Sequence, residues 1–192
     1  MTAIADTDDL GPVVRFDYLA FCILAFAVMT AAIVSHERWF LQFVHVISGV
    51  MWTGFDLFEG FVIGPLLRNV APPLRREIVI RLAPRTLFLL PTLSIINPTT
   101  GWYLAGHLGF LDLQWPDFGW VAAALALVVA MTINGLGYLL PTNLRVCLEL
   151  RKSKPDLAKI ARMTSYFYVA IAAQGAMQVL TIIIMARFAS GI

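Results

Sequence analysis

Apolar residues in this chain gather in long unbroken runs, not in the short alternating patterns of a water-soluble fold. The run YLAFCILAFAVMTAAIVSH separates Asp17 from Glu37 without an Asp, Glu, Lys or Arg and predicts a first span over 18–34. A second run opens at Trp39, is free of those four residues as far as Phe55, and continues through Asp56 and Glu59 to a predicted end at 67, before Arg68. The third covers 86–111 and contains Pro91 and Pro98, each of which removes a backbone hydrogen bond and predicts a kink or local unwinding. The fourth extends over 118–144, with Pro141 near its end, and the fifth over 163–186. Each run matches the roughly 20 apolar residues that cross a bilayer as a helix. The expectation is an all-α integral membrane bundle of five transmembrane helices, a single domain over 1–192 with no internal repeat.

Charge then orients the spans. Lys and Arg collect in two connections: Arg68, Arg75, Arg76, Arg81 and Arg85 between spans two and three, and Arg145, Arg151, Lys152, Lys154, Lys159 and Arg162 between spans four and five. Basic loops stay on the cytoplasmic side, so the expected topology is N-terminus in and C-terminus out, in a bacterial-type inner (cytoplasmic) membrane. Trp39, Trp102, Tyr103, Trp115 and Trp120 fall at the opposite, outer boundary, where tryptophan is enriched. The segment 145–162 is expected to be a basic amphipathic loop on the inner surface, broken at Pro155. Residues 1–17, with Asp6, Asp8, Asp9 and Asp17 against Arg15, lack the basic leader of a secretory signal and are expected to form an uncleaved polar tail.

Composition agrees, with 59% hydrophobic and 14% charged residues, and leaves lipid as the first partner, with no feature that points to nucleic acid. Cys22 and Cys147 show no CxxC spacing and are expected to be buried small side chains.

The candidate chemistry lies in three histidines that the topology puts at the outer side. His45 falls roughly 8 Å inward from Phe40, and His107 roughly 5–6 Å inward from Leu111, which predicts imidazoles at similar depth on different helices. Such a pair is what bis-histidine ligation of a haem iron, or a share of a copper site, requires. His36, beside Glu37 and Arg38, is expected to hydrogen-bond at the interface, and joins the other two only in a copper site. At 100° per residue Gly49, Trp52, Asp56 and Glu59 fall on the His45 face of span two. Gly49 would admit a flat macrocycle and Trp52 would pack on its edge. Ionisable groups within a span carry a high free-energy cost and mark function, so Asp56 and Glu59 are candidate proton carriers, with structural pairing to Arg68 or Arg85 as the alternative. Thr100 and Tyr103 share the face of His107. Asn97, Asn134, Gln174 and Gln178 are expected to bond between helices, and Gly135 and Gly137 to permit close packing.

The stretch LQFVHVISGVMWTGFDLFEGF, with His45, Trp52 seven positions later and then Gly54, resembles the signature helix of the CopD and HemJ-like membrane proteins, a superfamily that includes the membrane domain of cytochrome-linked urate oxidase. The chain departs from that pattern at Phe55, where many members look like WxGG, and reads GPLLRN near the helix end. The resemblance implies a small helical bundle in which His45 is associated with haem b in the redox branches and with copper in the CopD branch. The function expected on this basis is electron transfer with a quinone or partner redox protein, by a membrane oxidoreductase or an electron-transfer subunit. One haem would be held by His45 and His107, with Arg38 on a propionate and Trp39 or Trp102 lining the pocket. The alternatives are a copper-handling permease and a non-catalytic anchor subunit of a larger redox complex, with a homodimer also open.

Overall fold

A computed structural model describes residues 17–150, 152 and 154–191. The expected polar tail, with Asp6, Asp8, Asp9 and Arg15, and Arg151 of the basic connection lie outside the described residues. Five helices follow one another: α1 (Asp17–Val34), α2 (Arg38–Arg68), α3 (Pro72–His107), α4 (Phe118–Leu150) and α5 (Leu157–Ala189). Among the described residues there is no strand. α2 to α5 are each long and apolar enough to cross a membrane, and α1 contributes a shorter apolar helix. Large apolar side chains on the outside of the bundle, such as Ile23, Val129, Ile133 and Ile183, are those of helices that face lipid. The chain is thus a helical bundle of the multi-pass membrane type.

The helices overrun the apolar runs. α3 begins at Pro72, fourteen residues before the expected span at 86, because proline is preorganised for the first helical turn and arginine is a good helix former that does not interrupt a helix. It then passes through Pro84, Pro91 and Pro98 as one continuous helix, without the local unwinding expected there. Hydroxyl bonds onto backbone carbonyls flank the prolines, Thr92 Oγ1 to Phe88 at 2.8 Å and Ser94 Oγ to Pro91 at 2.9 Å. α4 runs to Leu150, and α5 starts at Leu157 behind an N-cap in which Asp156 Oδ1 accepts from Lys159 N at 2.9 Å. The expected basic amphipathic loop over 145–162 is therefore mostly helical, with 145–150 ending α4 and 157–162 beginning α5.

α1 lies against α2 and α3, α2 packs on α3 and α5, and α4 closes the bundle against α3 and α5. The core has three layers. Ala32, Leu41, Val44, Ile96 and Leu104 fill the end where α1 meets α2, and Leu67, Val79, Val146, Leu150 and Ile171 are among those that fill the opposite end. Between them the buried apolar cluster narrows to Trp52, Leu93 and Met131. Two helices widen into π turns next to this thin layer, α2 at Glu59–Ile63 and α4 at Ile133–Leu139. Such turns recur at functional sites.

Candidate functional site

The inward stripe of α2 sits where its period puts it: Ser48 and Trp52 are buried, and Asp56 and Glu59 are 1% and 4% exposed. At its N-terminal end the stripe meets α3. His45 Nδ1 donates to the carbonyl oxygen of Asn97 at 3.0 Å, and Asn97 Nδ2 donates back to the His45 carbonyl at 2.9 Å. The imidazole lies on the Gly101 backbone, where an added Cβ would meet Cε1 at 2.8 Å. Only glycine fits there. Gly49 plays the same part for Asn97, whose Nδ2 would be 2.7 Å from an added Cβ. The space over Gly49, expected to admit a macrocycle, is occupied by the Asn97 amide.

At its C-terminal end the stripe meets α5. Gln178 Nε2 donates to Asp56 Oδ2 at 2.8 Å, with Gln174 and Trp52 also directed at that carboxylate. Gln174 Oε1 in turn accepts from Asn134 Nδ2 of α4 at 2.8 Å, and Asn134 also reaches the Ala170 carbonyl. Asn97, Asn134, Gln174 and Gln178 thus all bond between helices. Of the two glycines expected to allow close packing on α4, Gly135 lies against Gln174 and Gly137 has open space. Neither Asp56 nor Glu59 forms an ion pair with Arg68 or Arg85: Arg85 Nε instead donates to Tyr18 Oη at 3.3 Å. The two carboxyl groups are buried together among amides, hydroxyls and apolar side chains.

The histidines divide differently from the expected pairing. His36, in the left-handed region at φ 56°, turns the chain between α1 and α2 and brings its ring to 6.3 Å from that of His107, centroid to centroid. Both are exposed. His107 Nδ1 donates to the Tyr103 carbonyl at 2.8 Å. His45 meets α3 at Gly101, six residues or roughly 9 Å along the helix from His107. Arg38 and Trp102, expected beside a cofactor, are both exposed.

For a b-type haem the donor set fits one axial position. His45 has its Nδ1 tied to a carbonyl, the anchoring seen in ligating histidines, and its Nε2 has no hydrogen bond among the described residues. The arrangement does not bring His107 to that ring. Among the described residues no group of three or more His, Cys, Asp or Glu side chains is placed to hold a metal ion.

Sequence reasoning did not single out Thr86, Asn143, Thr164 or Tyr168, which are buried around the carboxylates. The signal was present for two of them. Thr86 stands eleven residues, about three turns, before Asn97, and Thr164 begins the series Thr164, Phe167, Ile171, Gln174, Gln178 at alternating steps of three and four.

Fold and site together define a multi-pass helical bundle with an internal column of polar and ionisable side chains along α2. No family model, curated protein or solved structure matches the chain.

Proposed function

We propose that this chain is a membrane protein, N-terminus in the cytoplasm and C-terminus outside, that passes protons along the inward face of α2. The two basic connections support this orientation. One observation carries the proposal: Asp56 and Glu59 are buried three residues apart in the bundle interior and make no ion pair among the described residues. Ionisable groups so placed within membrane spans are characteristic of proton routes. Above them Ser48, Asn97 and His45 continue the polar column toward the outer end, interrupted by Trp52.

The test is proton flux into vesicles that contain the purified chain and an internal pH dye, driven by a potassium diffusion potential. Wild type is expected to acidify the lumen faster than protein-free vesicles. Asp56→Asn and Glu59→Gln are each expected to lower the flux about a hundredfold, the lower range for loss of a positioned proton donor or acceptor. Wild-type flux no faster than that of bare lipid, or an Asp56→Asn flux equal to wild type, refutes the proposal.

The anchored ring of His45 favours a second reading, in which His45 Nε2 is an axial ligand of a haem b and the proton column serves electron exchange with a quinone or a redox partner. A haem would supply a one-electron carrier. A reduced-minus-oxidised visible spectrum of haem-sufficient preparations tests it. An absorption band that disappears in His45→Ala supports the reading, and a spectrum without haem bands removes it while leaving the proton proposal intact.

A further inference from the structure

Two small cavities adjoin the carboxylate pair. One, of about 30 Å³, is bounded by Trp52, Asp56, Thr86, Ser94, Asn143 and Gln174, and the other, of about 20 Å³, by Glu59, Thr86, Asn143, Thr164 and Tyr168. Thr86 and Asn143 belong to both walls and are joined, with Asn143 Nδ2 donating to Thr86 Oγ1 at 3.1 Å and to the Ala83 carbonyl at 3.4 Å. A single buried water requires about 10–15 Å³, so each cavity has room for at least one. Both also offer polar walls. Thr164, 7% exposed, lines the Glu59 cavity, and its Oγ1 has no hydrogen-bond partner among the described residues. Gln178 Oε1 is likewise unpaired, on the same amide whose Nε2 is bonded to Asp56. Buried polar atoms of this kind are normally satisfied, and for Thr164 Oγ1 water is the partner that fits the adjoining space.

We infer that Thr86 and Asn143 form a joint that positions one water on the Glu59 side and another on the Asp56 side, and so sets the rate at which the two carboxyl groups exchange protons. The Asn143 amide occupies one lone pair of the Thr86 hydroxyl and leaves the other able to accept from a cavity water. Protons are conserved along the row: one released by Glu59 enters the first water, one passes from the first water to the second, and one leaves the second water for Asp56, while the Thr86 hydroxyl keeps its own proton on the Ala83 carbonyl at 3.3 Å. Thr86 and Asn143 are positioning residues, and the inference rests on the proton-carrying reading of the pair.

The experiment is hydrogen–deuterium exchange of the carboxyl C=O stretch, followed by infrared spectroscopy on the full chain in lipid, with bands assigned by Asp56→Asn and Glu59→Gln. Thr86→Val removes the hydroxyl at nearly constant volume. It is expected to slow exchange at Asp56 relative to Glu59 by about tenfold, the effect of one lost hydrogen bond. Thr86→Ser, which restores the hydroxyl, is expected to recover the wild-type ratio, which mere packing damage does not predict. Asn143→Ser serves as the second variant should Thr86→Val fail to fold, with the same slowing expected. An unchanged Asp56-to-Glu59 ratio in the folded variant, equal slowing at both groups, or the absence of any carboxyl band assignable to either residue overturns the inference. The two proposals separate cleanly. Vesicles that carry no proton flux while Thr86→Val still shifts the ratio defeat transport and leave the joint, whereas normal flux with an unshifted ratio defeats only the joint.

Discussion

Replacing Gly60 by alanine is expected to force α2 away from α5. A Cβ on Gly60 would stand 2.9 Å from Ala172 Cα, 3.0 Å from its N and 3.2 Å from its Cβ. Carbon atoms in contact settle at about 3.5–4.0 Å, so the helices must part by roughly half an ångström or more. The atoms that obstruct are mainly backbone, which no rotamer change can move aside. Overpacking of this kind costs about 1–3 kcal/mol. Alanine also favours a helix over glycine by about 1 kcal/mol, which acts in the opposite direction. Gly54 isolates that second effect, because it is exposed on the same helix and an added Cβ there meets nothing within 4 Å. Cys22 and Cys147 are buried, so a thiol-reactive fluorogenic maleimide reports unfolding in detergent without any added label. Gly54→Ala is expected to be labelled at the wild-type temperature or above it, and Gly60→Ala below it, with a gap between the two variants of about 1–3 kcal/mol. Because Leu57 and Gly175 are in contact one turn away, the same displacement would draw Gln178 off Asp56 and lower proton flux. If the two alanine variants melt together, α2 and α5 are not in tight contact and the placement of Asp56 beside Gln178 is wrong.

Two further outcomes follow from the packing of α2 and α4. Gly49→Ala is expected to destabilise the wild-type background, where the new Cβ meets Asn97 Nδ2 at 2.7 Å, and to be neutral or stabilising in an Asn97→Ala background. A double-mutant cycle on the same thermal labelling assay reads this coupling, and additive effects would show that Asn97 does not sit over Gly49. Glu149→Gln is expected to loosen the α4–α5 connection, since Glu149 Oε2 accepts from Lys152 Nζ at 2.8 Å and from Lys159 Nζ at 3.0 Å. Limited trypsin digestion should then cut that connection faster than in wild type, and an unchanged rate counts against the ion-pair clasp.

What the sequence made legible was the inward stripe of α2, because a single helix period maps Gly49, Trp52, Asp56 and Glu59 to the His45 side whatever the neighbours are. Helix ends were less legible. A reading based on lipid stops at the first arginine, while the helical backbone continues through Arg85 and Arg81, whose side chains are exposed, and through the half-buried Arg76. The same error misplaced His107. Its expected depth assumed a helix that reaches 111, whereas α3 ends at His107 itself and Gly109, at φ 72°, turns the chain into a short 3-10 segment at Phe110–Asp112. A shift of four residues is about 6 Å along a helix, enough to move His107 from the level of His45 to that of His36. The π turns left no trace in the pattern, since a single wider turn changes the phase too little to be seen against a run that is apolar on every side.

The position of the carboxylates follows from a change of partner along α2. Its N-terminal half is held by α3 through Asn97 and Gly101, and its C-terminal half by α5 through Ala172 and Tyr168, where Gly60 and Gly64 let the helices touch. Asp56 and Glu59 lie at the changeover. There the buried apolar cluster is thinnest, and amides, hydroxyls and two small cavities take its place. A bundle selected for stability alone would fill this layer with leucine, since interhelical hydrogen bonds in lipid contribute only about 0.6 kcal/mol each on average. Keeping two ionisable groups and unpaired polar atoms in that layer therefore lowers the stability of the bundle. The presence of such a layer where helix neighbours change is the strongest physical ground for assigning it the chemistry of the protein.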